Sequence, residues 1–380
     1  MIGPALRVAG TVAPGFEAVR DCFADRFAQG EEIGAALHVT CDGRTVVDLW
    51  GGSRDAAGAR DWTADTPVNV WSCTKGALAL LIHRLIERGL IALDAPVARY
   101  WPAFAAHGKG GICIHHLLTH TAGLPGPTVL VPDDALYDWP AMVRALEDSV
   151  PLWPPGERCA YHAASFGWLN GEVARRVTGR TVRDLIADEI AGPVGSDLSI
   201  GLSHDAGPAA DLALPPPEVL AAAAAMVEAG GLARRLAITN PARPFEAERG
   251  ARWRAAEIPS SNGYASARGL ARLYTPLALG GTWAGVRLLG PEAVVRAAAP
   301  QVIAEDAVSG TLVRRSLGFE CPGEEAGWRD GAFGHRGLGG ACGFVDPEAR
   351  LAFGYVTRRM VLGPDTRASA LCRAVYDCLA

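Results

Sequence analysis

Strand-like runs lie at both ends of this chain, and nearly everything between them reads as helix or loop. Toward the N-terminal end, Gly34-Ala35-Ala36-Leu37-His38-Val39-Thr40 and Arg44-Thr45-Val46-Val47-Asp48-Leu49-Trp50-Gly51-Gly52 flank Cys41-Asp42-Gly43. Two β-rich runs around an Asp-Gly pair predict a hairpin, because that pair tolerates the positive φ of a tight turn. Toward the other end, Leu312-Val313-Arg314, Leu317-Gly318-Phe319, Gly343-Phe344-Val345 and Leu351-Ala352-Phe353-Gly354-Tyr355-Val356 carry the same signature. A sheet must bury at least one face, so these distant runs are expected to meet in one antiparallel sheet built by both termini. The expected fold class is α+β.

Between the strand runs the pattern is helical. Phe16, Val19, Phe23 and Phe27 repeat at helical spacing, predicting an amphipathic helix over residues 16–27. Residues 139–149 and 163–190 read as helices separated by the break Pro154-Pro155-Gly156, with further helices over about 265–279 and 364–378. Residues 53–66 read as polar turns. Leu93-Asp94-Ala95-Pro96-Val97 and Tyr100-Trp101-Pro102 read as loop. Residues 205–262 are rich in Ala, Pro and Gly and contain a helix-prone tract from Ala221 to Ala225. Such a composition fits a flexible insertion or a cap beside a site.

One apolar helix stands out, beginning near Val70-Trp71-Ser72-Cys73-Thr74-Lys75 and closed by Gly89. Ser72 falls near its start, where free N–H groups and the positive dipole end favour developing negative charge. Lys75 lies three residues on, nearly one turn, so both side chains emerge on one face. A serine nucleophile with a lysine base would have this spacing; so would a Ser N-cap followed by a solvated Lys. Composition bears on the choice. The chain has only two lysines, Lys75 and Lys109, against 34 arginines. Arginine keeps its proton in a protein, whereas a lysine desolvated in an apolar helix can lose it. Cys73 would face another side of the helix and reads as packing.

Several function classes are excluded. At 380 residues and 49% hydrophobic, the chain can bury a sizeable core. A net charge of −5 gives no reason to expect a nucleic-acid partner. No apolar run reaches membrane-spanning length, and the first residues lack a basic segment followed by an apolar one. Nine scattered cysteines without a C-x-x-C pair look like the reduced thiols of a cytoplasmic protein. His115, His116 and His120 lack carboxylate or cysteine partners at ligand spacing, so no metal and no cofactor is expected. No Gly-x-Ser-x-Gly elbow is present for an α/β-hydrolase triad.

Four blocks occur in order: Ser72-Cys73-Thr74-Lys75, Leu117-Leu118-Thr119-His120-Thr121-Ala122-Gly123-Leu124, Tyr161-His162-Ala163-Ala164-Ser165-Phe166-Gly167-Trp168-Leu169, and Phe333-Gly334-His335-Arg336-Gly337-Leu338-Gly339-Gly340. Together they resemble the serine β-lactamase-like superfamily, specifically the class C-like branch containing family VIII carboxylesterases. The likeness runs from about residue 34 to the C-terminus. It implies a β-lactamase/transpeptidase-like fold in one catalytic domain, residues 1–380. An α/β lobe (about 1–65 and 265–380) would lie beside a mostly helical lobe (about 66–264), with the site in the cleft between them.

The same resemblance implies roles. Ser72 would be the acylated nucleophile, and Lys75 its base, alone or with Tyr161. Tyr161 would pass a proton to the leaving group and activate water, its phenol pKa lowered by the nearby ammonium. His335, Arg336 and Gly337 would lie opposite the serine, with the N–H groups of Ser72 and Leu338 forming an oxyanion hole. His120 would hydrogen-bond backbone near the site. Trp71, Trp153 and Trp253 are candidates for an acyl or alcohol pocket, although buried structural aromatics are commoner. The sequence departs from the β-lactamase pattern at Ala163, where an asparagine is usual, and at His335, where a lysine is usual. The expected function is hydrolysis of short-chain carboxylic esters through an acyl-serine, on a small-molecule substrate with no nucleic acid or membrane partner. The alternatives are a β-lactamase or D-amino-acid peptidase or amidase on the same scaffold, and a catalytically silent ligand-binding member.

Overall fold

The computed structural model describes residues 8–202, 209–242 and 250–379. Its central sheet has six antiparallel strands. β1 (Ala9–Val12), β2 (Gly34–Cys41) and β3 (Arg44–Gly52) come from one end of the chain; β11 (Phe333–Arg336), β12 (Cys342–Asp346) and β13 (Leu351–Thr357) come from the other. The order is β1-β3-β2-β13-β12-β11, so the two ends meet where β2 pairs with β13, Leu37 opposite Tyr355. The expected hairpin turns at Asp42 and Gly43, both with positive φ (49° and 72°), the conformation a two-residue turn needs.

Each face of the sheet buries a different core. Leu351, Phe353 and Tyr355 of β13 point toward α1 (Glu17–Ala28) and α12 (Arg367–Asp377), joining Val19, Phe23, Leu371 and Val375. The alternate residues Ala352 and Val356 point toward α10 (Ala267–Ala278) and the larger core. Period-two alternation thus serves two apolar layers, which is why β13 is buried throughout. Gly343 and Gly354 pair across β12 and β13 beneath α10. A Cβ on Gly354 would lie 2.3 Å from the Ala267 carbonyl oxygen, so glycine there sets how closely the helix approaches.

The second body of structure is mostly helical. Its centre is α2 (Thr74–Glu87), buried continuously from Thr74 to His83. Gly89 beyond its end is left-handed (φ 72°), as a glycine stop requires. Around it lie α3 (Ile114–Leu118), α4 (Trp139–Asp148), α5 (Ser165–Thr178) and α6 (Val182–Ile186). The single helix expected over 163–190 is two helices, because Gly179 turns left-handed and Thr181 caps α6 through its side chain. A small sheet, β4 (Val68–Trp71), β6 (Gly263–Ala265) and β5 (Ser199–Ile200), was not evident in the sequence.

Within the stretch 205–262, residues 205–208 and 243–249 lie outside the described residues. The alanine tract forms α7 (Pro217–Glu228), followed by α8 (Leu232–Thr239) and α9 (Ala251–Ala255). α8 buries Ala233 and Ala237 against Ala160, Ala163 and Val308, whereas α7 buries none of its side chains. Two hairpins, β7 (Thr282–Trp283) with β8 (Val286–Arg287) and β9 (Val302–Glu305) with β10 (Leu312–Arg315), flank α11 (Pro291–Ala298). The run Leu317-Gly318-Phe319 is not a strand. It turns tightly at Gly318 (φ 93°) and packs on α2, with Phe319 stacked on His83. No helix among the described residues is long and apolar enough to cross a membrane.

Candidate active site

Ser72 occupies the turn between β4 and α2. Trp71 before it takes φ +50°, a conformation that costs an L-residue energy and persists only where its surroundings enforce it. They do: the Thr74 hydroxyl donates to the Trp71 carbonyl and accepts from the Gly263 N–H at 2.9 Å. The turn is thereby locked to β6.

Because α2 is buried on all sides, Lys75 is fully enclosed (0% exposed). Its side-chain nitrogen lies within hydrogen-bond distance of three oxygens: Ser72 Oγ at 3.1 Å, the Ala163 carbonyl at 2.8 Å and the Ser260 carbonyl at 2.9 Å. Lys109, the other lysine, is also fully buried. Its ammonium donates to the Glu147 and Ser149 carbonyls at the end of α4, and burial lowers its pKa to about 8. The rarity of lysine therefore marks two places where a compact nitrogen meets carbonyls in a tight space, and of the two it is Lys75 that is hydrogen-bonded to a hydroxyl. A planar guanidinium does not fit that geometry.

Tyr161 enters from the segment before α5, its N–H donating to Asp306 Oδ1 at 3.2 Å. Lys75 Nζ and Arg315 Cζ each lie 4.9 Å from the centre of its ring. The expected lowering of its pKa is not met. Burial, followed by the nearby Glu320 charge, pushes the phenol above its ordinary value and outweighs the opposing influence of Ser72 and Arg315. Tyr161 is a neutral phenol in the resting protein. His120, left-handed at φ +61°, accepts from the His162 N–H at 3.0 Å and holds this segment in place.

Three charged residues that the sequence did not mark surround Tyr161. Arg315 of β10 is buried and pairs with Asp306 at 2.9 Å. Asp306 also accepts from the N–H groups of Val308 and Ser309. Glu320 is anchored to β11 by backbone bonds with Gly334 in both directions, and its carboxylate accepts from Arg336 Nε at 2.9 Å.

A cavity of about 580 Å³ opens over Ser72 and Tyr161, walled by Val308, Arg315, Glu320, Arg336, Gly337 and Leu338 among others. A Cβ on Gly337 would lie 2.4 Å from the Val70 carbonyl oxygen. That close passage brings the Gly337-Leu338 backbone alongside Ser72. His335 stands behind this wall, fully buried, with neither ring nitrogen hydrogen-bonded. Burial lowers its pKa to about 3, so it is neutral. Cys73 is buried as packing, its thiol donating to the His335 carbonyl.

The tryptophans expected as pocket walls do not line the cavity. Trp71 is buried against Trp253, itself inaccessible, and only its neighbour Ser72 reaches the cavity. Trp153 packs in the small cluster around Tyr161 and donates to the Arg158 carbonyl. His115 meets a carboxylate the sequence did not pair with it, Asp94 at 3.2 Å. Among the described residues, no group of three His, Cys, Asp or Glu is placed to hold a metal ion.

A family model described as Beta-lactamase matches residues 19–375. Esterase/beta-lactamase LipL of Mycobacterium tuberculosis is 38% identical over 367 residues, 93% of this chain and 84% of that protein. Esterase EstB of Burkholderia gladioli is 32% identical over 181 residues, 43% of this chain and 45% of that protein. The crystal structure of a family VIII carboxylesterase superposes with a TM-score of 0.91 at 38% identity, covering 98% of this chain and 100% of the other. A penicillin-binding protein homolog from Caulobacter crescentus superposes with a TM-score of 0.88 at 35% identity, with the same coverage.

Proposed function

Because the chain belongs to the Beta-lactamase family, we propose that Ser72 is its acylated nucleophile, Lys75 the base and Tyr161 the acid. The protein is a serine ester hydrolase of carboxylesterase type on the β-lactamase scaffold. The single observation that carries the assignment of roles is the Lys75 amine 3.1 Å from Ser72 Oγ, with two carbonyls taking its other hydrogens.

Those carbonyls orient the base. A neutral amine has two N–H groups; directed to Ala163 and Ser260, they leave its lone pair facing Ser72. Ser72 attacks the ester carbonyl as its proton moves to Lys75, and the resulting ammonium finds three acceptors without moving. The N–H groups of Ser72 and Leu338 stabilise the oxyanion. Tyr161 gives its proton to the departing alkoxide, and the phenolate is held by the Lys75 and Arg315 charges. In deacylation that phenolate takes a proton from the attacking water, and Ser72 recovers its own from Lys75. The sum is ester plus water to acid plus alcohol.

The cleft lies between an α/β lobe (about 1–65 and 265–380) and a helical lobe (about 66–264) of one catalytic domain. We take short acyl chains as the substrate, with Val308 and Leu338 supplying apolar surface beside Ser72. A cytoplasmic setting is in keeping with the cysteines, which are all free. The test is intact-mass detection of an adduct after exposure to a fluorophosphonate probe and to p-nitrophenyl esters. Wild type should gain one adduct, mapped to Ser72, and Ser72→Ala none. An adduct elsewhere, or none in wild type, would refute the assignment.

A further inference from the structure

We infer that Glu320 is a specificity-determining residue, a fixed carboxylate in the cavity wall that turns away substrates carrying a negative charge and restricts the site to neutral esters. This rests on the proposal that the cavity over Ser72 receives the ester.

Among the described residues, four charged side chains line the cavity: Arg315, Glu320, Arg336 and Asp365. Two are committed to partners in the wall, Arg315 to Asp306 at 2.9 Å and Asp365 to Arg367 at 2.7 Å. The remaining two face each other. Arg336 alone would be an attractive landing point for a substrate carboxylate, being half exposed at the end of β11, with 48% of its side chain accessible. Glu320, only 15% accessible, takes its Nε at 2.9 Å with Oε2. The other oxygen, Oε1, lies 3.8 Å from His335 Nδ1 and 4.0 Å from Arg315 Nη1.

Backbone bonds to Gly334, as donor (2.9 Å) and as acceptor (3.1 Å), fix the Glu320 main chain, and the bond from Arg336 Nε with Arg315 close by holds the carboxylate itself in the wall. An arriving anion would find the Arg336 charge already compensated through Nε and a like charge directly behind it, on the less accessible Glu320. A neutral ester meets no such penalty. Excluding a class of substrate by a built-in repulsive group is how specificity is gained without added affinity.

The experiment compares kcat/KM for p-nitrophenyl butyrate with that for mono-p-nitrophenyl succinate, an anion of the same acyl length. It uses wild type, Glu320→Gln and Arg336→Gln. Wild type should favour butyrate. Glu320→Gln should narrow the gap by about tenfold, through a gain on the succinate. Arg336→Gln, at a half-exposed position that should not disturb folding, should widen it by leaving Glu320 uncompensated. A gap unchanged in both variants, or narrowed by Arg336→Gln, would overturn the inference. Wild-type turnover of butyrate with an adduct at Ser72 tests the parent proposal separately, so the two can fail independently.

Discussion

The guanidinium carbon of Arg315 lies 4.9 Å from the centre of the Tyr161 ring, and the buried Asp306 holds both residues. A cation at that position favours the phenolate over the phenol. Arg315→Met should therefore slow acylation, the step in which that phenolate forms, more than deacylation. Stopped-flow measurement with phenyl acetate, whose leaving group needs the proton, should show a smaller and slower phenol burst. The same change leaves Asp306 buried without its partner, which should cost about 3–5 kcal/mol in urea unfolding. Lost stability with unaltered burst kinetics would make Arg315 purely structural.

Lys75→Arg should fail nearly as completely as Lys75→Ala. The arginine keeps the charge but has no lone pair for Ser72, and its fork cannot reproduce the bonds to Ala163 and Ser260. A loss of about 10²–10⁴ in kcat is expected for either variant. Circular dichroism confirms the fold, and substantial turnover by the arginine variant would reduce Lys75 to an electrostatic role.

Esters should be preferred to β-lactams by orders of magnitude. Ala163 offers only its carbonyl, already given to Lys75, and no side-chain amide. His335 is neutral and buried, and Arg336 is held by Glu320. Each missing contact to a β-lactam costs about 1–3 kcal/mol, and an activated ester needs neither. The comparison is kcat/KM for a p-nitrophenyl short-chain ester against nitrocefin on one preparation. Equal efficiency on nitrocefin would favour the β-lactamase alternative.

Stability should fall on mild acidification. Burial lowers the pKa of His83 to about 4, and of His162 and His335 to about 3, from an ordinary 6.5. Each stays neutral in the folded protein while the unfolded chain takes up a proton. The stabilisation is thus present above pH 6.5 and lost as pH falls toward 4. Each group contributes a slope of about 1.4 kcal/mol per pH unit in that window. Urea midpoints at pH 7 and pH 5 measure the total. His83→Gln, remote from Ser72, should make the dependence shallower by one such step.

Local chemistry in the sequence settled several of the elements. The Asp42-Gly43 pair dictates a tight hairpin because few other residues accept two positive φ values. Alternation in residues 351–356 dictates a two-faced strand, and the apolar run after Ser72 dictates a buried helix with Lys75 one turn on. These are properties of neighbours along the chain. The tertiary structure decided what those residues meet. Lys75 is oriented by the carbonyls of Ala163 and Ser260, and since every residue has a carbonyl, no sequence pattern could mark those two. Arg315, Asp306 and Glu320 are ordinary charged residues until folding of the hairpin and of β11 buries them beside Tyr161. The phenol was expected to be acidified by one nearby charge, but its pKa responds to the sum of desolvation and all surrounding charges. Burial is a property of the whole packed chain, so the direction of that shift, and the exclusion of Trp71 from the pocket, existed only once the chain had closed around them.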